Sequence, residues 1–261
     1  MTAPGLAVVT GASAGIGREF AEQLAARGYD LLTVARDAGR LAEQAAALGP
    51  RYGVRVEPLA ADLSREDGIG RVAERIAVVE PTLLVNNAGF GTTGMLARTD
   101  PGRQAEMVLL HTLAPLRLTL AALPALVRRN AGGVINVSSV ASFLVSPGTV
   151  TYCATKSYLT VWSEGLAIEL KQTGVRVQAL CPGFTYSEFH ERMGARRRRA
   201  PAFMWLSART VVTASLRALD RRGPTVCIPG WQYRAIVGAL RLLPRGLVGR
   251  LTYARERAGV T

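Results

Sequence analysis

Cysteine is scarce in this 261-residue sequence, limited to Cys153, Cys181 and Cys227. No two of them form a C-x-x-C pair, so the sequence supports neither a disulfide framework nor a zinc site. Such sparse usage fits a reducing cytoplasm. Also missing is any uninterrupted apolar run near the roughly 20 residues that a membrane-spanning helix requires. The first 17 residues carry no basic flank and no long apolar block, so they do not read as a secretory signal. Internal repeats and low-complexity linkers are absent too. Lysine is nearly so: Lys156 and Lys171 are the only two among 32 basic residues.

What is present is a globular composition, 49% hydrophobic and 20% charged, enough for a sizeable core and too apolar for disorder. The formal net charge is +13, unevenly placed. Up to Glu191 there are 17 basic and 17 acidic residues, whereas from Arg192 to Thr261 there are 15 arginines against Asp220 and Glu256. The whole excess lies in the last quarter of the chain, and an asymmetry of this kind points to an anionic partner.

Apolar runs with strand character occur at Leu6–Thr10, Leu31–Ala35, Val54–Leu59, Leu83–Asn86, Gly133–Ser138, Val175–Leu180 and Thr225–Ile228. Segments with helical spacing separate them. The runs are continuous rather than alternating, as in strands buried on both faces. Seven such strands alternating with helices predict an α/β fold: a single-domain, Rossmann-type, doubly wound parallel sheet. That domain is expected over residues 1–230, followed by a basic amphipathic helical extension over 231–261. Ligands of such sheets lie at the carboxyl ends of the strands.

The first strand runs into Thr10-Gly11-Ala12-Ser13-Ala14-Gly15-Ile16-Gly17-Arg18 and then a helix. Gly11 permits the tight turn, Gly15 lets backbone approach a pyrophosphate, and Gly17 lets helix and strand pack closely. Free N–H groups and the positive end of the helix dipole then meet phosphate, with Ser13 and Ile16 in the same turn. At the end of the second strand, where an NAD enzyme usually carries an acid for the ribose 2′-hydroxyl, the chain has Ala35 and Arg36. An arginine fork suits a 2′-phosphate, so NADP(H) is the expected cofactor, with Ser13 and Arg18 as further contacts. The alternative is a solvated Arg36 beside an Asp37 that caps the next helix.

The fifth strand ends at Ser138-Ser139, and Tyr152 and Lys156 follow at the start of a helical segment, one turn apart on one face. A tyrosine of pKa near ~10 is a weak acid. An ammonium about 4 Å away contributes on the order of 4 kcal/mol at an effective dielectric of 20, enough to bring the phenol near ~7. A proton is transferred most efficiently at that value. Ser139 can hold a carbonyl oxygen beside it.

Taken together, the TGASAGIG turn, Asp62-Leu63, Asn86-Asn87-Ala88-Gly89, Ser139 with Tyr152 and Lys156, and Cys181-Pro182-Gly183 resemble the short, single-domain branch of the short-chain dehydrogenase/reductase family over about residues 5–230. The resemblance implies that Asp62 and Leu63 hold adenine and that Asn87, Ala88 and Gly89 line the adenosine ribose. It makes Tyr152 the general acid/base, Lys156 the group on the nicotinamide ribose, and Ser139 the group orienting the substrate oxygen. Pro182 and Gly183, with Thr185 or Ser187, would hold the carboxamide. It further implies a homodimer or homotetramer built on the helices around His111 and Tyr152. One position departs from the pattern: where the family usually has an asparagine holding a relay water, this chain has His111. A histidine there either serves the relay or packs.

The resemblance also implies that the segment of about 184–206 closes over the substrate. Its Phe184, Tyr186, Phe189, Met193, Phe203, Met204 and Trp205 suit an apolar carbonyl or alcohol. Arg196 to Arg199 suit the phosphates of a CoA or carrier-protein thioester, or form a solvated loop. In the extension, Ile236, Val237, Leu240 and Leu243 can share one side, continued by Leu247, Val248 and Leu251, with Arg234, Arg241 and Arg245 on another. Such helices either pack on the domain or a second subunit, or lie on an anionic membrane surface. No nucleic-acid module is present, so nucleic acid is not an expected partner. The reading is an NADPH-dependent oxidoreductase acting on a small lipophilic or acyl-type carbonyl or secondary alcohol. Its alternative is a weakly catalytic cofactor- or lipid-binding relative.

Overall fold

The computed structural model describes residues 5–188 and 201–258. Strands β1 (Leu6–Thr10), β2 (Asp30–Ala35), β3 (Val56–Ala60), β4 (Leu83–Asn86), β5 (Gly132–Val137), β6 (Val175–Leu180) and β9 (Val226–Cys227) form one sheet. All its pairings are parallel, in the order β3-β2-β1-β4-β5-β6-β9. The helices are α1 (Gly15–Ala25), α2 (Ala38–Tyr52), α3 (Glu66–Val79), α4 (Pro101–Val108), α5 (Ala114–Arg129), α6 (Val150–Glu169), α7 (Ala208–Asp220), α8 (Trp231–Leu242) and α9 (Arg245–Ala258). The expected doubly wound sheet is present, with strand ends within two residues of those read from the sequence. A two-stranded parallel ribbon, β7 (Thr185–Tyr186) with β8 (Leu206–Ser207), was not legible, because two-residue strands carry no periodicity.

Alternation along β1 divides the core. Ala7 and Val9 face one side, with Phe20 and Leu24 of α1 and Val211 and Leu216 of α7. Val8 faces the other, with Val72 and Ile76 of α3 and Leu118 and Leu126 of α5. Each fully buried leucine or phenylalanine stabilises the fold by roughly 1.5–3 kcal/mol. The chain runs outward from β1 to β3 and then returns to β4 on the opposite side of β1, so a crevice opens above the carboxyl ends of β1 and β4.

A wide helical turn of π type, Leu109–Leu113, joins α4 to α5. Pro115 explains it: with no N–H, proline cannot close the bond to the carbonyl of His111 four residues back. The continuous path Pro101–Arg129 is, by length and composition, apolar enough to cross a membrane. The search for uninterrupted runs missed it because Arg103 and Arg117 break the pattern. It lies against the sheet, with Leu118, Ala122 and Leu126 in the core.

In α8 the buried side is centred on Tyr233 and Val237, and Ile236 and Leu243 are exposed. The apolar side read from the sequence is therefore rotated by part of a turn. In α9 Val248 is buried and Leu247 is exposed. Thr252 donates to the carbonyl of Val145 at 2.5 Å, which ties α9 to the loop before α6.

Candidate active site

A cavity of about 820 Å³ follows the carboxyl ends of the strands. At one end lies the turn after β1. Gly11 (φ +66°) and Gly15 (φ +53°) take left-handed backbone that favours glycine. A Cβ on Gly17 would overlap the carbonyl of Gly11 and the amide of Asn87. No side chain caps α1, and its first turn has no acidic residue, so its leading N–H groups are left for an anion.

Thr10 and Asn87 set the shape of this turn. The Thr10 hydroxyl accepts from the backbone N–H of Asn87 (2.9 Å) and of Ala88 (3.0 Å). The Asn87 amide donates back to the carbonyls of Thr10 (2.9 Å) and Gly11 (3.3 Å). Below it, Asn86 donates to Asn136 (2.8 Å), which donates to Ser163 (2.9 Å), a buried polar chain that fixes β4, β5 and α6 together.

Ser13, Ile16, Arg36, Asp62 and Leu63 all line this end of the cavity, whereas Arg18 is exposed on α1 and does not. Asp37 caps α2, accepting from the N–H of Arg40 at 3.0 Å. Burial alone would raise the Asp62 carboxyl. Hydrogen bonds from Ser64 and the charges of Arg36 and Arg65 outweigh it and hold the group below its usual value. Arg40 also lines the cavity, paired with Glu188 at 3.2 Å. Sequence reading missed it, although its place one helical turn beyond Arg36 was the available signal.

At the other end the catalytic candidates converge. Ser139 opens a short 3₁₀ turn and accepts from the N–H of Ala141 at 3.1 Å. Ser139 and Tyr152 both line this end of the cavity. Lys156 is buried and donates to the carbonyl of Val137 at 2.8 Å, while its Nζ stands 5.8 Å from the Tyr152 ring centroid. The expected acidic phenol is not what these side chains produce. Burial pushes Tyr152 up to about 12 against the lowering bond from Ser139. Burial also pushes Lys156 down to about 8. The ammonium is turned to a backbone oxygen, and burial dominates the shift of the phenol. Tyr152 therefore holds its proton at neutral pH, the state of an acid ready to donate.

His111 is fully buried. Its Nε2 accepts from the N–H of Phe90 at 3.3 Å, which places the ring proton on Nδ1, 2.9 Å from the Thr155 hydroxyl. Thr155 in turn donates to the carbonyl of Tyr152 at 3.1 Å. Both ring nitrogens are thus engaged. Burial, and then the charge of Lys156, lowers His111 well below its ordinary value and keeps it neutral. A Cβ on Gly89 would stand 2.8 Å from Nε2, so glycine makes room for the ring.

Pro182, Gly183, Thr185 and Ser187 line the cavity, and the Thr185 hydroxyl donates to the carbonyl of Gly183 at 3.0 Å. Tyr233 of α8 seals this segment. A Cβ on Gly183 would overlap its ring, and its hydroxyl accepts from the N–H of Phe184 at 2.8 Å and donates to the carbonyl of Met204. Nothing in the sequence distinguished Tyr233 from other helix residues. Phe189, His190, Met193 and Arg196 to Arg199 lie outside the described residues. Phe184 and Tyr186 flank Trp205, with ring centroids 5.3 and 5.1 Å away. No cluster able to hold a metal occurs among the described residues.

With this geometry in view, comparison with known proteins is decisive. The family described as short chain dehydrogenase matches residues 5–198. An uncharacterized oxidoreductase, YmfI, of Bacillus subtilis is 38% identical over 182 residues, covering 68% of this chain and 73% of that one. A very-long-chain 3-oxoacyl-CoA reductase of Pyrenophora tritici-repentis is 34% identical over 180 residues; the match covers 67% of this chain but only 53% of that enzyme. A short-chain dehydrogenase from Sphingobium yanoikuyae, solved in complex with NADPH, superposes with a TM-score of 0.83 at 35% identity, over 90% of this chain and 93% of that one. The chain belongs to the short-chain dehydrogenase/reductase family and is a nicotinamide-dependent oxidoreductase. The glycine cradle, the uncapped helix and the elongated cavity fit a bound dinucleotide.

Proposed function

We propose that this enzyme uses NADPH to reduce, or NADP to oxidise, a carbonyl or secondary alcohol on a small lipophilic or acyl-type substrate. When bound, the cofactor supplies or accepts the hydride. Gly11, Ser13, Gly15, Ile16 and Gly17 would hold its pyrophosphate, and Asp62, Leu63, Asn87, Ala88 and Gly89 its adenosine. Pro182, Gly183 and Thr185 would hold the carboxamide. Arg36 would meet a 2′-phosphate with Arg40 beside it, and no acidic side chain ends β2 to favour the unphosphorylated ribose.

The observation that carries the reading is the convergence of Ser139, Tyr152 and Lys156 on the lining of one cavity, with Tyr152 and Lys156 one helical turn apart on α6. In reduction, Ser139 orients the carbonyl oxygen and the Tyr152 hydroxyl gives that oxygen its proton. In oxidation the tyrosine takes the proton back. Lys156 binds the nicotinamide ribose. We assign His111 a positioning role: it clamps the Gly89–Phe90 backbone to α6 through Thr155.

Phe90, Leu144 and Phe184 give the substrate end an apolar wall. The likeness to 3-oxoacyl-CoA reductases supports a thioester among its substrates. Exposed Leu120 and Val127 on α5, and Val161 and Ile168 on α6, each seven residues apart, support a homodimer or homotetramer built on those helices. Three buried free thiols support work in a reducing cytoplasm. The test is cofactor oxidation with 3-oxoacyl thioesters and matched simple ketones. NADPH should be consumed faster than NADH. Tight NADPH binding with no turnover on any substrate would overturn the reading.

A further inference from the structure

We propose that the C-terminal helix pair docks the enzyme on an anionic lipid surface. Helix α8 is apolar on two sides. Tyr233 and Val237 face inward and are buried. Trp231, Ala235, Gly238 and Leu242, spaced i, i+4, i+7 and i+11, form an opposite stripe that is exposed throughout. Trp231 is 72% exposed and Leu242 86%, unusual for side chains of this size. Phe203, 67% exposed, adds a third bulky tip: its carbonyl accepts from the Gln232 amide at 3.1 Å, next to Trp231.

Charge selects the occupant. Arg234 and Arg241 are exposed along one flank of the stripe, and Arg250 is exposed on α9. From Arg221 to Tyr253 the sequence holds six arginines and no aspartate or glutamate. A second copy meeting this face about a two-fold axis would set arginine against arginine with no carboxylate of the stretch to answer it. An anionic bilayer answers both features, taking the apolar tips into the headgroup boundary and the guanidinium groups onto phosphate.

The surface is joined to the cavity. Tyr233, two residues from Trp231, seals Gly183 and bonds the N–H of Phe184, which lines the mouth. The stripe lies on the side of α8 opposite Tyr233, so docking would leave the cavity wall at Gly183 one helix away from the lipid surface. Docking itself does not depend on the reaction proposed above, and its test needs no turnover.

The full-length protein is sedimented with phosphatidylcholine vesicles, with and without phosphatidylglycerol. It should sediment with the anionic vesicles, lose most of that binding at high salt, and remain in solution with phosphatidylcholine alone. At about 1 kcal/mol per arginine near an anionic surface, R234Q/R241Q should partition about 30-fold more weakly. W231Q/L242Q should lose binding while keeping wild-type thermal unfolding and NADPH affinity. Failure of the wild type to sediment with anionic vesicles at low salt would overturn the proposal, as would wild-type partitioning by W231Q/L242Q. If W231Q/L242Q instead turned a vesicle-free dimer into a monomer, the stripe would be a contact between copies and docking would be refuted.

Discussion

Two regions of this molecule follow different rules. Up to Glu191 cations and anions balance at 17 each, and the turns that shape the cavity are fixed from within the molecule. Gly17 and Gly89 leave no room for a Cβ, and Asn86, Asn136 and Ser163 form a buried hydrogen-bonded chain in the core. Beyond that point two carboxylates face 15 arginines, and Trp231 and Leu242 of α8 are 72% and 86% exposed. The first region is shaped by what it must hold within; the second is shaped by what it meets outside. The two are joined at Tyr233, a C-terminal side chain that completes the wall of the N-terminal cavity.

Substitutions can break or sharpen that contrast. Among substitutions that leave the proposed proton donor in place, the largest effect is expected at Ser139, whose proposed task is orienting the reacting oxygen. Ser139→Ala should lower kcat by about 10²-fold, with NADPH affinity unchanged in a fluorescence titration. Next comes Arg36. If it meets the 2′-phosphate by a charge-assisted bond of about 1.5–3 kcal/mol, Arg36→Glu should raise the KM for NADPH by roughly 10- to 100-fold and leave NADH use nearly untouched. The smallest effect on rate belongs to His111. As a neutral clamp it can be replaced by asparagine with kcat kept within about tenfold. Its effect should appear in stability. The folded pKa of His111 is depressed, so the unfolded chain binds a proton that the native state does not as pH falls below about 6.5. Wild-type stability therefore drops from pH 7 to pH 5, and His111→Asn should lose less over that interval in denaturant titrations.

The contrast also explains what could be read from the sequence. The strands, the glycine turn, and the Ser139, Tyr152 and Lys156 set were legible because each depends on residues close in the chain or on a period of two or 3.6. The Asp37 cap and Arg36 at the cavity were legible for the same reason. Arg40 and Tyr233 were not, since their roles arise from distant segments, Glu188 and Gly183. The charge state of Tyr152 was misjudged on similar grounds. Spacing places Lys156 near the phenol, but only the fold shows its ammonium buried and turned to the carbonyl of Val137. The orientation of α8 was legible to within part of a turn, because both of its sides are apolar.

The claim on which the proposed reaction depends is that Tyr152 gives its proton to the substrate oxygen. The direct measurement is single-turnover loss of NADPH fluorescence in wild type and Tyr152→Phe, with a substrate found in the cofactor-oxidation survey. The variant should bind NADPH as tightly as wild type and transfer hydride about 10²- to 10⁴-fold more slowly. Hydride transfer at the wild-type rate would show that the acid lies elsewhere and would contradict the account.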